Sequence, residues 1–346
     1  MYSTVYISRK FLLVHSAANY SPTDNISKQC QLIKLTLQTL LYSKEQMTNS
    51  TSSQQFLKTL EENVHRLGII IAVIGVIFNF CSYHTAGFLQ QKNSSVTFIK
   101  CLAVWDTISI FQDGIVSLGG SYININLINF NKYTCKVLFW HSWASTRVAV
   151  YHMNALAIDR SLAIGFPIWF KQYSSPKLAI RSSFAIFWLF ILSSMGYIYS
   201  YDLSDGRCTT IVDSNLMQWY LGFMLLGVAS FIPFILIILT NLFFVYKLRN
   251  HNHRNKDNAE ERLTLMIITS SFAFMILMGA VIVCLLIFAK IIPINIESNV
   301  SKSLLSKSAE LLTITNSSLN FMFYVTSGPM FRNAFLLLMK KYLPTI

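Results

Sequence analysis

Charge is scarce in this sequence: Lys, Arg, Asp and Glu make up 12% of 346 residues against 53% hydrophobic ones, a composition too apolar for a soluble enzyme. A bilayer is the implied solvent. Six cysteines occur without a CxxC pair or metal-ligand spacing, which argues against a zinc module and against a disulfide-dense framework. There is no internal repeat of the kind transporters show, and no second domain is required. The apolar stretch Phe11 to Val14 is too short for a signal-peptide core, so the first span is expected to act as its own insertion signal. The net charge of +13 lies in short basic clusters between long apolar runs. That pattern marks a cytoplasmic membrane side and not a nucleic-acid surface, so no nucleic-acid partner is expected.

What the chain does have is apolar runs of the roughly 20 residues that a spanning helix needs. Seven occur, approximately Leu67 to Leu89, Val96 to Gly120, Val137 to Ile158, Ser182 to Tyr201, Met217 to Tyr246, Leu263 to Ala289 and Leu305 to Thr326. The expected fold is therefore all-α, an integral membrane bundle of seven transmembrane helices. Lys92, Lys100, Lys171, Lys177, Arg181, Lys247, Arg249, Arg254, Lys256, Arg262, Arg332, Lys340 and Lys341 gather on one side, which should be cytoplasmic, leaving the N-terminus outside. The domain reading is a flexible, polar extracellular tail over 1–62, a seven-span unit over 63–328, and a short cytoplasmic helix and tail over 329–346. Asn25-Ile-Ser and Asn49-Ser-Thr in the tail are candidate glycosylation sites. The bilayer is thus one partner, and a multi-pass place in the plasma membrane is expected.

Seven spans fit receptors, transporters, channels and membrane enzymes alike, so residues at fixed depths must decide. Cys135 and Arg160 are separated by roughly 37 Å at helical rise, one bilayer with its headgroups. The run Leu156-Ala-Ile-Asp-Arg-Ser-Leu-Ala-Ile-Gly-Phe-Pro167 resembles the Asp-Arg-Tyr motif and loop proline of rhodopsin-like (class A) G-protein-coupled receptors, with Ser161 in place of the tyrosine. Asn79, Leu102-Ala-Val-Trp-Asp106, Trp188, Pro233 and Asn316-Ser-Ser-Leu-Asn320-Phe-Met-Phe-Tyr324 resemble the same family's anchors, and Phe331-Arg332 its short cytoplasmic helix. The departures are Met278 and Ala280 for the usual Trp and Pro of span six, Phe321 for the proline of span seven, and Asn241 for the tyrosine of span five. Losing helix-bending prolines puts the usual hinge in doubt. The overall pattern is most similar to divergent invertebrate neuropeptide receptors of the FMRFamide type.

The resemblance implies a receptor without catalytic activity that transduces binding of an extracellular ligand, a neuropeptide by preference, to a heterotrimeric G protein. It implies a Cys135–Cys208 disulfide, which an oxidising exterior permits. Coupling and activation fall to Asp159, Arg160, Asn241, Glu260, Asn320 and Tyr324, with Glu260 the natural second partner of Arg160. Asp106 with Ser145, Asn316, Ser317 and Asn320 forms a candidate sodium site; no other cofactor is expected. Ala149 stands where the family usually supplies a serine ligand.

Asp113, Ser142, Trp143, Thr146, Arg147 and Glu310 are the candidate ligand-binding residues. Arg147, inside span three, must pair with a carboxylate or face water, and the outer carboxylates Asp113 and Glu310 would suit a peptide carrying arginine and an amidated end. Ser142, where monoamine receptors place an aspartate, argues against an amine ligand; Ile314, where opsins place lysine, argues against retinal. The alternative is a multi-span transporter or channel, for which Arg147, Asp106, Asp113 and Glu310 would mark a polar pathway. A zinc hydrolase fits poorly, because His84, His141 and His152 are dispersed over different helices.

Overall fold

The computed structural model describes residues 51–89, 93–123, 127–211, 215–250, 258–288, 292 and 299–342, the side chains of 51–53, 218, 248–250, 258–264, 288 and 299 excepted. The chain divides into two units, Met1–Lys58 and Thr59–Ile346, and the first is described only from Thr51 onward, where it is helical. The helices are α1 (Thr51–Gly87), α2 (Ser94–Ile110), α3 (Lys132–Gly165), α4 (Pro167–Tyr173), α5 (Pro176–Ser193), α6 (Gly196–Ser200), α7 (Asn215–Gly222), α8 (Ile232–Asn250), α9 (Asn258–Phe288), α10 (Asn299–Ser327) and α11 (Pro329–Tyr342). Helix α2 runs on through a π-helical stretch, Phe111–Gly119, and α7 joins α8 through another, Phe223–Phe231. Among the described residues seven long helical spans result, each enclosing one of the expected apolar runs to within a residue or two.

Five of them, Gln54–Gly87, Ser94–Tyr122, Pro176–Ser200, Asn215–Lys247 and Leu265–Ile287, are long and apolar enough to cross a membrane by composition alone. The other two, α3 and α10, also turn polar residues inward. Ser145, Arg147, His152, Asn154, Asp159, Arg160 and Ser161 of α3 and Ser317, Ser318 and Asn320 of α10 are all buried. Lipid faces the apolar side chains of the outer spans, while polar groups are tolerated where neighbouring helices satisfy them.

Helix α1 starts within the segment that composition assigned to the tail. Its polar outer turns are held by an exposed Glu62–Arg66 pair (3.8 Å) and by Ser303 Oγ donating to Glu61. Asn131 caps α3 reciprocally with Thr134 (2.8 and 3.0 Å), and Pro176 opens α5 behind the Ser175 cap. Gly114 permits the close crossing of spans one and two, since a Cβ there would lie 2.5 Å from that of Ala72.

The π-helical stretch of span five has a local cause. Ile232 N–H bonds the Gly227 carbonyl, five residues back, so the next carbonyl, Val228, would take the N–H of residue 233. Pro233 has none. Tyr151 Oη from span three donates to that Val228 carbonyl instead, at 2.9 Å. Both π-helical stretches line the cavity described below, in keeping with the association of such bulges with functional sites.

On the expected outer face, strands β1 (Tyr201–Ser204) and β2 (Arg207–Thr210) form an antiparallel hairpin turning at Asp205 and Gly206, both with positive φ. Cys135 and Cys208 form the disulfide that ties β2 to the head of α3. Asn129 Oδ1 accepts from Cys208 N–H (2.8 Å), and Lys132 (2.9 Å) and Lys136 (3.7 Å) pair with Asp202. The hydrogen bond from Lys132 holds the Asp202 carboxyl below the usual carboxylate range.

Candidate functional site

A cavity of about 390 Å³ opens between spans two, three, five, six and seven, walled mainly by apolar side chains such as Leu225, Phe274, Leu277 and Met278. Its volume lies within the usual small-ligand range. Asp113, Ser142, Trp143, Thr146, Arg147 and Glu310, the six residues singled out from sequence, all line it. So do Asp106, Asn316, Ser317 and Asn320 at its inner end, whereas His141 and Ser145 are not among the lining residues.

The carboxylates of the outer wall differ in state. Asp113 is buried and accepts from Ser142 Oγ (2.6 Å) and Thr146 Oγ1 (3.2 Å), two neutral hydroxyls. Glu310 is paired within its own helix: Lys307 Nζ lies 3.1 Å from one carboxylate oxygen and 3.2 Å from the other, and Ser117 donates to it at 2.9 Å. Of the two outer carboxylates expected to meet a basic ligand, Glu310 is already answered by Lys307, whereas the hydrogen-bond partners of Asp113 are neutral. An i,i+3 spacing on one helix places the two side by side.

Arg147 is 1% exposed and neither pairs with a carboxylate among the described residues nor faces water, contrary to the sequence expectation. Nη1 donates to Ser194 Oγ (3.0 Å), and Nη2 donates to Tyr197 Oη (2.7 Å) and to the Met224 carbonyl (3.4 Å). The guanidinium carbon lies 5.0 Å from the ring centres of both Trp143 and Tyr197. The side chain is turned toward spans four and five, away from Asp113, so dipoles and ring faces replace the counter-charge.

At mid-depth Asp106 is buried and accepts from Asn320 Nδ2 (2.8 Å), and Ser317 lines the same cavity. A buried carboxylate beside hydroxyl and amide groups fits a small hard cation, with Ser317 and Asn316 as neutral donors from the same wall. Two proposed ligands are differently engaged: Ser145 Oγ donates to the Ser142 carbonyl (3.2 Å), and Asn320 presents its NH2 to Asp106 while its oxygen accepts from Ser270 (2.9 Å). Asn79 Nδ2 donates to the Ser317 carbonyl (3.1 Å), joining span one to this cluster.

At the inner end Arg160 pairs with Asp159 (2.9 Å), both nearly fully buried, and lies over the Phe170 ring at 5.3 Å. Asp159 also accepts from Ser94 Oγ (2.6 Å) and from Ser95 Oγ, which ties span three to the head of α2. The Glu260 side chain lies outside the described residues. Asn241 accepts from Ser271 (2.8 Å) of span six. Tyr324 is 1% exposed against Phe331 at 5.4 Å. Asn25 and Asn49 also lie outside the described residues.

Sequence reasoning missed Ser94, Ser95, Ser117, Ser194, Tyr197, Ser270, Ser271 and Lys307. Serines in apolar helices carry no periodic signal, because they can satisfy themselves on the preceding turn. Lys307, three residues before Glu310, was the one detectable cue.

The model of the family described as 7 transmembrane receptor (rhodopsin family) matches residues 74–324. Among curated proteins, the chain is 22% identical over 215 residues to cysteinyl leukotriene receptor 1 of Cavia porcellus and, over an equal stretch, to that of Sus scrofa. The matches take in 60% of this chain and 63% of each relative's length.

Proposed function

Because the chain belongs to the rhodopsin family of seven-transmembrane receptors, and is thus a multi-pass protein of the plasma membrane, we propose that it converts binding of an extracellular ligand into activation of a heterotrimeric G protein. The observation that carries this reading is the continuity of the cavity with the interior polar cluster. The cavity lined by Asp113 is lined also by Asp106 and Asn320, which bond each other, and Asn320 bonds Ser270 on span six. A ligand that shifts span seven therefore acts on the contact between spans six and seven, and differential affinity for two such packings is all that population shift needs.

The G protein would meet the cytoplasmic ends of spans three, five and six around Asp159 and Arg160, where the family resemblance puts coupling. Asp106 with Ser317 and Asn316 would hold a sodium ion. The ligand is a peptide whose terminus enters the cavity, with Asp113 taking a hydrogen-bond donor or cation. A leukotriene is the second reading, favoured by the receptors this chain resembles and by the apolar walls of the cavity.

The test is nucleotide exchange on G proteins in cells expressing the full chain, screened against peptide and leukotriene libraries, with R160A as control. The expected result is ligand-dependent exchange that R160A abolishes. Ligand-dependent solute or ion flux without exchange would establish the transporter reading in its place.

A further inference from the structure

A guanidinium keeps its proton in a protein, so Arg147 cannot relieve its burial by becoming neutral. Its partners among the described residues are uncharged: two hydroxyls, one backbone carbonyl and two aromatic faces. Its Nε–H is buried with no acceptor among them. Thr146, the preceding residue, turns the opposite way and joins Asp113, so the nearest carboxylate of span two is already committed to neutral partners on the other wall. The arginine nonetheless lines the cavity, whose apolar lining includes Leu225, Phe274 and Met278.

A buried cation that is held in place, lacks an acceptor at one nitrogen and lines a ligand-sized cavity is suited to an anionic partner. We propose that Arg147 is the recognition point for a ligand carboxylate, with the ligand's apolar body lying along spans five and six. This rests on the receptor reading above and narrows it: the preferred ligand is a free acid, and an amidated peptide end would leave the guanidinium uncompensated. A carboxylate of that kind could belong to a peptide C-terminus or to a fatty acid derivative. The chemistry at Arg147 is the same for both.

The full chain in phosphatidylcholine nanodiscs is followed by thermal unfolding with two matched pairs of probes. One is an N-acetylated tetrapeptide ending in phenylalanine, as free acid and as amide; the other is decanoate and decanamide. The acid of at least one pair is expected to raise the unfolding temperature where its amide does not, and the responding pair identifies the source. R147Q should lower the apparent affinity for that acid about 10- to 100-fold, the usual scale for losing a charge-assisted hydrogen bond. Equal behaviour of acid and amide in both pairs, no shift included, overturns the assignment, as does acid selectivity that survives in R147Q. Should R147Q fail to accumulate, the wild-type comparison decides, because an arginine that only braces the helices has no reason to distinguish an acid from its amide. Nucleotide exchange measured in parallel separates the two claims. Acid-selective stabilisation without exchange on any G protein keeps the anion subsite and removes the receptor reading; exchange driven equally by amides, and unaffected by R147Q, does the reverse.

Discussion

Replacing Tyr151 by Phe isolates a single interaction whose worth depends on a proline 82 positions away in sequence (233 − 151). The phenol donates at 2.9 Å to the Val228 carbonyl, which Pro233 leaves without its helical partner, while the ring packs on Phe190 at 4.3 Å. Phenylalanine keeps the packing and removes only the donor. An unsatisfied carbonyl within a membrane helix has no water to turn to, so the loss should be about 1–3 kcal/mol. For a chain of this size that corresponds to roughly 1.5–4 °C in the unfolding midpoint. In a P233A background the returned N–H can bond Val228, and the same Tyr-to-Phe change should then cost about 0.5 kcal/mol or less, giving a coupling of at least about 0.5 kcal/mol in the double-mutant cycle. The assay is thermal unfolding of wild type, Y151F, P233A and the double variant in one nanodisc preparation. Equal costs of Y151F in both backgrounds would refute the claim that Pro233 creates the need for Tyr151.

Three further outcomes are expected. The S94A/S95A variant removes two hydrogen bonds that hold Asp159 and should raise agonist-free nucleotide exchange at least about fivefold, given the 1.5–3 kcal/mol scale of bonds to charged groups; unchanged basal exchange would show that this tie does not restrain the resting state. Replacing sodium chloride by choline chloride should lower the unfolding temperature of the wild type but not of D106N, and equal shifts in both would remove Asp106 as the ion's anchor. G114V forces apart the crossing of spans one and two and should destabilise the protein by about 1–3 kcal/mol. Thermal unfolding reads it directly, and a neutral result would mean that the crossing has room to spare.

Much of the site was legible in the amino-acid sequence. Asp106 and Asp113 of one span and Arg147 of another stood out because a charge in an apolar helix is costly unless it has a purpose, and all three line one cavity. Not all of the partners were legible. Arg147 was expected to find a carboxylate and finds Ser194, Tyr197 and the Met224 carbonyl; Arg160 pairs with the adjacent Asp159, whose further ties to Ser94 and Ser95 were not foreseen, and the Glu260 side chain lies outside the described residues. Glu310 looked like an open acid because helix periodicity says which side chains share a face, not which of them has already been neutralised by Lys307.

By itself the sequence determined the number of spans, the burial of their charged residues and the family. These follow from properties that add up along the chain: hydropathy over some twenty residues, and motifs within one or two turns. The tertiary structure decided how each helix is rotated about its axis, and so which wall every polar group faces. Two π-helical stretches shift that rotation partway along spans two and five. Only the packed bundle decides whether Arg147 turns toward Asp113 or toward Tyr197, because the energies of those alternatives are set by dipoles contributed from helices far away in sequence.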